Sequence, residues 1–390
     1  MAYPVFYFHS DMRGAPVLNG VRGTGIALLD ACLNTGFGQV TANSVTVSGG
    51  IATASLQPGQ GFSLHANIQV AGATPAALNG VSRVTEATET SIKFPTSAPD
   101  GAATGTITIK VAGAGWTKPF SAANKAVFRS ANVQGSRHYF RFDETATNTL
   151  MRVRGYETMT TVDAGTGLYP TNTQVNGGGY WSKSVQAGAT PVAWEVIADS
   201  RFVLFRAAVG LPLGASYDGG AIRGFGDPVA LNPAGDAFAS CVSMSFVSDP
   251  NSLYGGLDVG GQQANGGVFA ARGRVGTGGA VLHDIKPYTG SPGAASGNDS
   301  ALGVHPSPVD GKLRMSPRFM YESDGVPRAD VPGVFHVPQS GLLTSPIAPR
   351  DYIDGAGALA GRTLVALPVC SYAYNGRDGW AFVDITGPWR

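Results

Sequence analysis

One amphipathic helix in 390 residues is the feature that most restricts how this chain can fold. Gly25 to Asn34 places Ile26, Leu29 and Leu33 on one helical face, with Leu28 and Cys32 beside them. Thr24 is the expected N-cap and Gly36 the expected stop. No second helix is available to receive the apolar stripe, so it must dock on sheet. Before it, Val5 to His9 alternates as a strand does.

The rest of the chain reads as strands and turns. Glycine (55) and proline (25) together make about a fifth of the residues, against roughly 12% in an average protein. Charged residues are only 14% and no long polar tract occurs, which argues for turn-dense β structure and against disorder. The expected fold is mainly β and multi-domain: a small β-barrel or sandwich module, a larger β-rich domain and one short N-terminal α-helix. We divide it into residues 1–38, the strand and helix packing on the large domain; 39–115, the small module; and 116–390, the large domain with long glycine-rich loops.

Within the module, Val45 and Val47, Ile51 to Leu56, Leu64 to Val70, Val81 to Thr85, Ser91 to Phe94 and Gly105 to Val111 are six expected strands. In the large domain, Trp194 to Phe205 predicts a hairpin turned at Asp199-Ser200. Phe202 and Leu204 face one way and Val203 and Phe205 the other, so both faces are expected to be covered. Tyr254 to Gly279 carries four glycine pairs, including Gly260-Gly261 and Gly266-Gly267. No helix follows to make a phosphate cradle, so turns and surface loops are expected there. Thr289 to Asp310 is expected to be an exposed loop, and the terminal Trp389 to tuck against the body.

Charge excludes one class of partner. The 27 basic and 26 acidic residues nearly cancel, without a basic stripe, so nucleic acid is not expected as a ligand. No apolar run is long enough to span a membrane, and residues 1–9 have no basic leader with an apolar core, so no signal peptide is expected. Cys32, Cys241 and Cys370 are scattered and odd in number, which fits neither a disulfide framework nor a zinc site.

Nothing in the sequence carries a catalytic signature: no Gly-x-Ser-x-Gly elbow, no His-Glu-x-x-His, no P-loop, no Cys-x-x-Cys. The six histidines are dispersed, and a metal or acid-base role is conceivable only for His9 with Asp11. The carboxylates available for glycoside chemistry are Asp143-Glu144, Glu195 with Asp199, and Asp324 with Asp330, each at an expected strand end or turn. No catalytic residue, cofactor or metal site is therefore assigned. Tyr169, Tyr180 and Trp181, in a Gly/Asn-rich stretch, are the candidates for stacking on a sugar ring; the alternative role for the pair after three glycines is to anchor a loop.

Several stretches resemble a family of virion structural proteins of tailed bacteriophages. They are Phe6 to Met12 with Gly14 to Leu18 and the helix Leu28 to Leu33; Val70 to Gly80, which also looks like the small β modules inserted in phage tail proteins; Gly115 to Phe120; Arg154 to Met159; and Val383 to Arg390. The resemblance implies a particle component, at tail or baseplate, assembled in the host cytoplasm and partnered by other virion proteins and copies of itself. It brings no catalytic residues. A host-surface glycan or receptor-binding tail protein, a capsid decoration protein and a polysaccharide-degrading enzyme are the alternatives.

Overall fold

The structure, a computed structural model, describes residues 5–209, 219–258, 264–290, 296–297, 299–373 and 377–390. It is mainly β with one short helical segment, and its strands fall into several sheets, the largest a hydrogen-bonded set of nineteen.

The centre of the largest sheet is the hairpin Trp194–Ala198 and Phe202–Ala207, every residue of which is buried. Asp199 turns it, its Oδ1 accepting the amides of Arg201 (2.7 Å) and Phe202 (2.6 Å). The alternation works as the sequence suggests. Val203 and Phe205 enter one apolar core and Phe202 and Leu204 another, so this hairpin is the partition between the two largest cores. Strand Phe6–His9 adds to its edge antiparallel, with Tyr7 opposite Ile197 and His9 opposite Glu195.

The helix occupies Thr24–Asp30 and continues as a wider π-type turn over Ala31–Thr35. Leu28, Leu29, Cys32 and Leu33 are buried in the first core beside Trp116, so sheet does receive the stripe. Gly36 ends it at φ 71°, a left-handed value glycine adopts without strain. The start differs from expectation: the cap position is Gly23, at φ 85°, and no side chain of the helix itself caps it.

Residues Phe37–Val111 form two facing sheets. One has Ser44–Ser48, Ile51–Ser55 and Ser91–Pro95 at its centre; the other orders Phe37–Thr41, Thr108–Val111, Asn67–Ala71 and Gly80–Arg83. Val45, Val47, Ala54 and Phe94 from the first meet Ile68, Val70 and Ile109 from the second, a sandwich-like arrangement. The expected strand from Leu64 begins only at Asn67: Leu64 is exposed and His65 sits at φ 67°, a turn the apolar alternation did not disclose. The module's apolar core is continuous with that around Trp116 and Trp181. Asn67 Nδ2 and Arg83 Nη2 both donate to Val5 O (2.7 and 2.8 Å), and the His65 ring lies edge-on to Tyr352.

Gly266 and Gly267, expected in turns, instead open a fully buried strand, Gly266–Ala270. A Cβ there would come within 2.6 Å of the Tyr254 backbone or of Leu282, so these glycines let neighbouring segments close on the strand. Gly260-Gly261 and positions 291–295 and 298 of the expected 289–310 loop lie outside the described residues. Trp389 is packed in the second core.

Candidate functional site

Two of the three aromatic candidates are core residues. Trp181 is fully buried, stacked on Phe205 at 5.3 Å and 9°, with its indole N–H donated to Ser243 O (2.6 Å). Tyr169 is equally buried; its ring covers Gly155, where a Cβ would meet it at 2.1 Å, and its hydroxyl lies 3.2 Å from His138 Nδ1. Neither can offer a face to a sugar. The expectation fails because strand Gly179–Ser182 lies across the first core, pairing with Leu150–Met159 and Cys241–Ser245, so its alternate residues point inward. Tyr180, on the other face, is half-buried under the Arg152 guanidinium, 4.6 Å from the ring centroid.

The carboxylate candidates are distributed among separate networks. Glu144 and Lys183 form a fully buried ion pair (2.7 Å). The same carboxylate accepts the amides of Gly23 (2.6 Å) and Ile26 (2.8 Å) at the start of the helix, and Lys183 also donates to Val21 O and Thr24 Oγ1. Glu195 is gripped by two guanidinium groups, Arg206 (2.8 Å) and Arg350 (2.7 Å), and Arg350 reaches on to Asp11 (2.6 Å). Burial would raise the Glu195 carboxyl, but the two cations and their hydrogen bonds hold it below its ordinary value. Asp199 accepts from Arg390, Asp143 from Arg141 and Asp324 from Arg274. Among the described residues Asp330 has no such partner, and burial lifts its carboxyl to about 7.

Sequence spacing gave no sign of three linked side chains, Ser296, His336 and Asp299. His336 Nε2 lies 2.8 Å from Asp299 Oδ2, and Ser296 Oγ lies 3.3 Å from Nδ1. The order is that of a nucleophile, base and orienting acid. Two features oppose that use. Arg318 Nη2 also donates to His336 Nδ1 (3.1 Å), so the lone pair a base would need is already engaged, and burial with this cation brings the imidazole down to about 4. Ser296 is fully buried and its hydroxyl oxygen accepts the Val337 amide (2.7 Å). An arginine can only donate, so the tautomer is fixed with the proton on Nε2. The arrangement positions backbone; it does not present a nucleophile.

His283 repeats this chemistry. Arg328 Nη1 donates to its Nε2 (3.1 Å), its Nδ1–H donates to Val281 O (2.9 Å), and burial with that arginine brings it to about 4. His9, also at about 4 through burial and Arg350, contacts Ser63 Oγ (3.2 Å), while Asp11 turns to Arg350. The suggested His9–Asp11 pair thus belongs to a seam between segments, and among the described residues no cluster of three His, Cys, Asp or Glu could hold a metal ion. The three thiols are free and buried.

Open surface is found elsewhere. A groove of about 500 Å³, polar and apolar in equal measure, lies among Ser136, Arg201, Asp227, Val229 and Pro233, and a smaller one of about 400 Å³ among Arg13, Val40, Asn43 and Gln57. A third, about 370 Å³, is mainly apolar, lined by Leu313, Met315, Ile353 and Leu359 with Lys312 and Asp354 at its rim. No protein-family model matches this chain, and no curated protein matches it. Among the described residues no helix is long and apolar enough to cross a membrane.

Proposed function

We propose that this chain is a structural subunit of a tailed-phage virion, in the tail or baseplate, working through the surfaces it shares with other virion proteins and with its own copies. The observation that carries the reading is the distribution of polar and apolar groups. Around Glu144, Glu195 and His336 the charged and imidazole side chains of the interior are spent on one another and on backbone. At the surface, by contrast, Leu313, Met315, Phe335, Leu343, Ile347, Ile353 and Leu359 are only half covered above the small core of Leu364, Trp380 and Phe382. A subunit that completes its apolar layers on assembly has this form.

The stretches that resemble phage virion proteins lie within the same framework. Phe6 to Met12 is held by Glu195 and Arg350, and the terminal Arg390 by Asp199. The glycan-binding alternative loses its aromatic platform with Trp181 and Tyr169 in the core. Reconstruction of intact virions, with mass spectrometry of the purified particles, tests the reading. Density matching this chain in several symmetric copies at the tail is the expected result; its absence from mature particles overturns the proposal.

A further inference from the structure

Arg13 crosses the small module at a point where two glycines let the backbones close. Gly61, at φ 66°, lies against it so tightly that a Cβ there would come within 2.6 Å of Arg13 Cβ, and Gly38, at φ 68°, lies against Arg13 O. The Arg13 N–H donates to Gly61 O (3.2 Å) and Nη1 to Gly59 O (2.9 Å). Backbone and guanidinium are thus both tied to the module, and the side chain forms one wall of the groove of about 400 Å³. The charge there is one-sided. Among the described residues Arg13 forms no ion pair, its Nε and Nη2 have no acceptor, and no carboxylate lines the groove. The other polar walls are neutral and exposed: Gln39, Thr41, Asn43 and Gln57. Gln57 Nε2 donates to Asn43 Oδ1 (3.0 Å), which leaves Asn43 Nδ2 as a donor and Gln57 Oε1 as an acceptor. Val40, Ala42 and Leu56 supply the apolar remainder. The larger groove differs, because Arg390 there is paired with Asp199 and Arg201 stands beside Asp227.

We propose that this groove binds a saccharide unit carrying one carboxylate, a hexuronate. Each part of such a ligand has its counterpart. Nε and Nη2 of Arg13 lie on one side of the guanidinium and offer a carboxylate a two-pronged donor. The linked amides of Asn43 and Gln57 and the Thr41 hydroxyl offer donors and acceptors to ring hydroxyls. The apolar strip suits the C–H face of a pyranose. A single cation favours one carboxylate over a phosphate or sulfate dianion, and without an aromatic wall there is nothing for a nucleobase to stack on. The volume falls within the range of small-molecule sites, about 300–1,000 Å³. Unlike the aromatic platform lost with Trp181 and Tyr169, this site needs no stacking, and it does not depend on the particle reading above.

Saturation-transfer NMR on the full chain tests it, with D-glucuronate as the probe and D-glucose and acetate as comparisons. Glucuronate should bind with a dissociation constant on the order of 1 mM, and glucose and acetate about tenfold more weakly or not at all. Arg13→Gln should weaken glucuronate about tenfold or more. It also removes the bond to Gly59 O, so Asn43→Ala, at an exposed position whose loss should leave the melting temperature unchanged, provides the second reading, an expected loss of about threefold or more. Absence of transfer to glucuronate, or binding unmoved by both substitutions, would overturn the inference. So would glucose as tight as glucuronate, which would leave Arg13 without a part, or acetate as tight, which would reduce the groove to a general anion contact. Glucuronate bound by a chain missing from virions would refute the particle reading and leave the site standing; a virion subunit that binds none would do the reverse.

Discussion

Tyr180 and Trp181 are neighbours in sequence with opposite surroundings. Trp181 fills the first core against Phe205 and Phe142. Trp181→Ala is therefore expected to cost about 3–5 kcal/mol, whereas Tyr180→Ala, which gives up the contact with Arg152, should cost about 1 kcal/mol or less. Urea denaturation of the two variants checks this; a small effect at Trp181 would return it to the surface. The glycines before the pair suggested a loop, but Gly179 lies in the strand, where a Cβ would meet Met244 at 2.3 Å. Alternation of Gly179 and Trp181 against Tyr180 was the available signal, hidden because glycine has no hydropathy to alternate. Gly155→Ala should behave similarly. With Tyr169 Cε2 at 2.1 Å from the new methyl, overpacking should cost about 1–3 kcal/mol, read from the same denaturation midpoint.

At the scale of elements, what is local was legible. The helix phase over Leu28 to Leu33 and the hairpin at Asp199 follow from neighbours along the chain, and both are present. The helix start was not legible, because the group that satisfies its free amides, Glu144, comes from just past strand Tyr139–Asp143 and is itself neutralised by Lys183, which follows strand Gly179–Ser182. No pattern of caps within the helix encodes that. The arrangement makes a sharp prediction. Glu144→Ala removes the cap and leaves a buried ammonium without its counter-ion, an expected loss of about 3–5 kcal/mol. Replacing both, Glu144→Leu with Lys183→Met, removes the stranded charge and should be less damaging than Glu144→Ala alone. Urea denaturation of the two variants measures the difference; a double variant worse than the single would show that the pair stabilises the helix more than its burial costs.

Over the whole molecule, the buried histidines set the response to acid. His9, His283 and His336 are each held at about 4, against an ordinary 6.5, by burial and by Arg350, Arg328 and Arg318 respectively. The carboxylates near them, Asp11 and Glu195, Glu322 and Asp236, and Asp299, pull the other way and do not prevail. The unfolded chain takes up these protons first, so the stability owed to neutral imidazoles is whole above pH 6.5 and is lost as pH falls from 6.5 through about 4. By pH 5 each histidine forfeits about 2 kcal/mol by linkage. Asp330, raised to about 7, acts oppositely. Its contribution is present at low pH and lost as pH rises through 7, so acidification from pH 7 to 5 returns about 2 kcal/mol. One histidine is thereby offset and two remain. The melting temperature should fall between pH 7 and pH 5, before carboxylates such as Glu195 and Asp143, held below their ordinary values by hydrogen bonds and neighbouring cations, begin to protonate. His336→Gln should flatten this slope even if it lowers the melting temperature throughout, and Asp330→Asn should steepen it by removing the compensation. A profile that stays flat down to pH 5 and is unmoved by both changes would mean that the Arg318–His336 and Arg328–His283 contacts are not kept in solution.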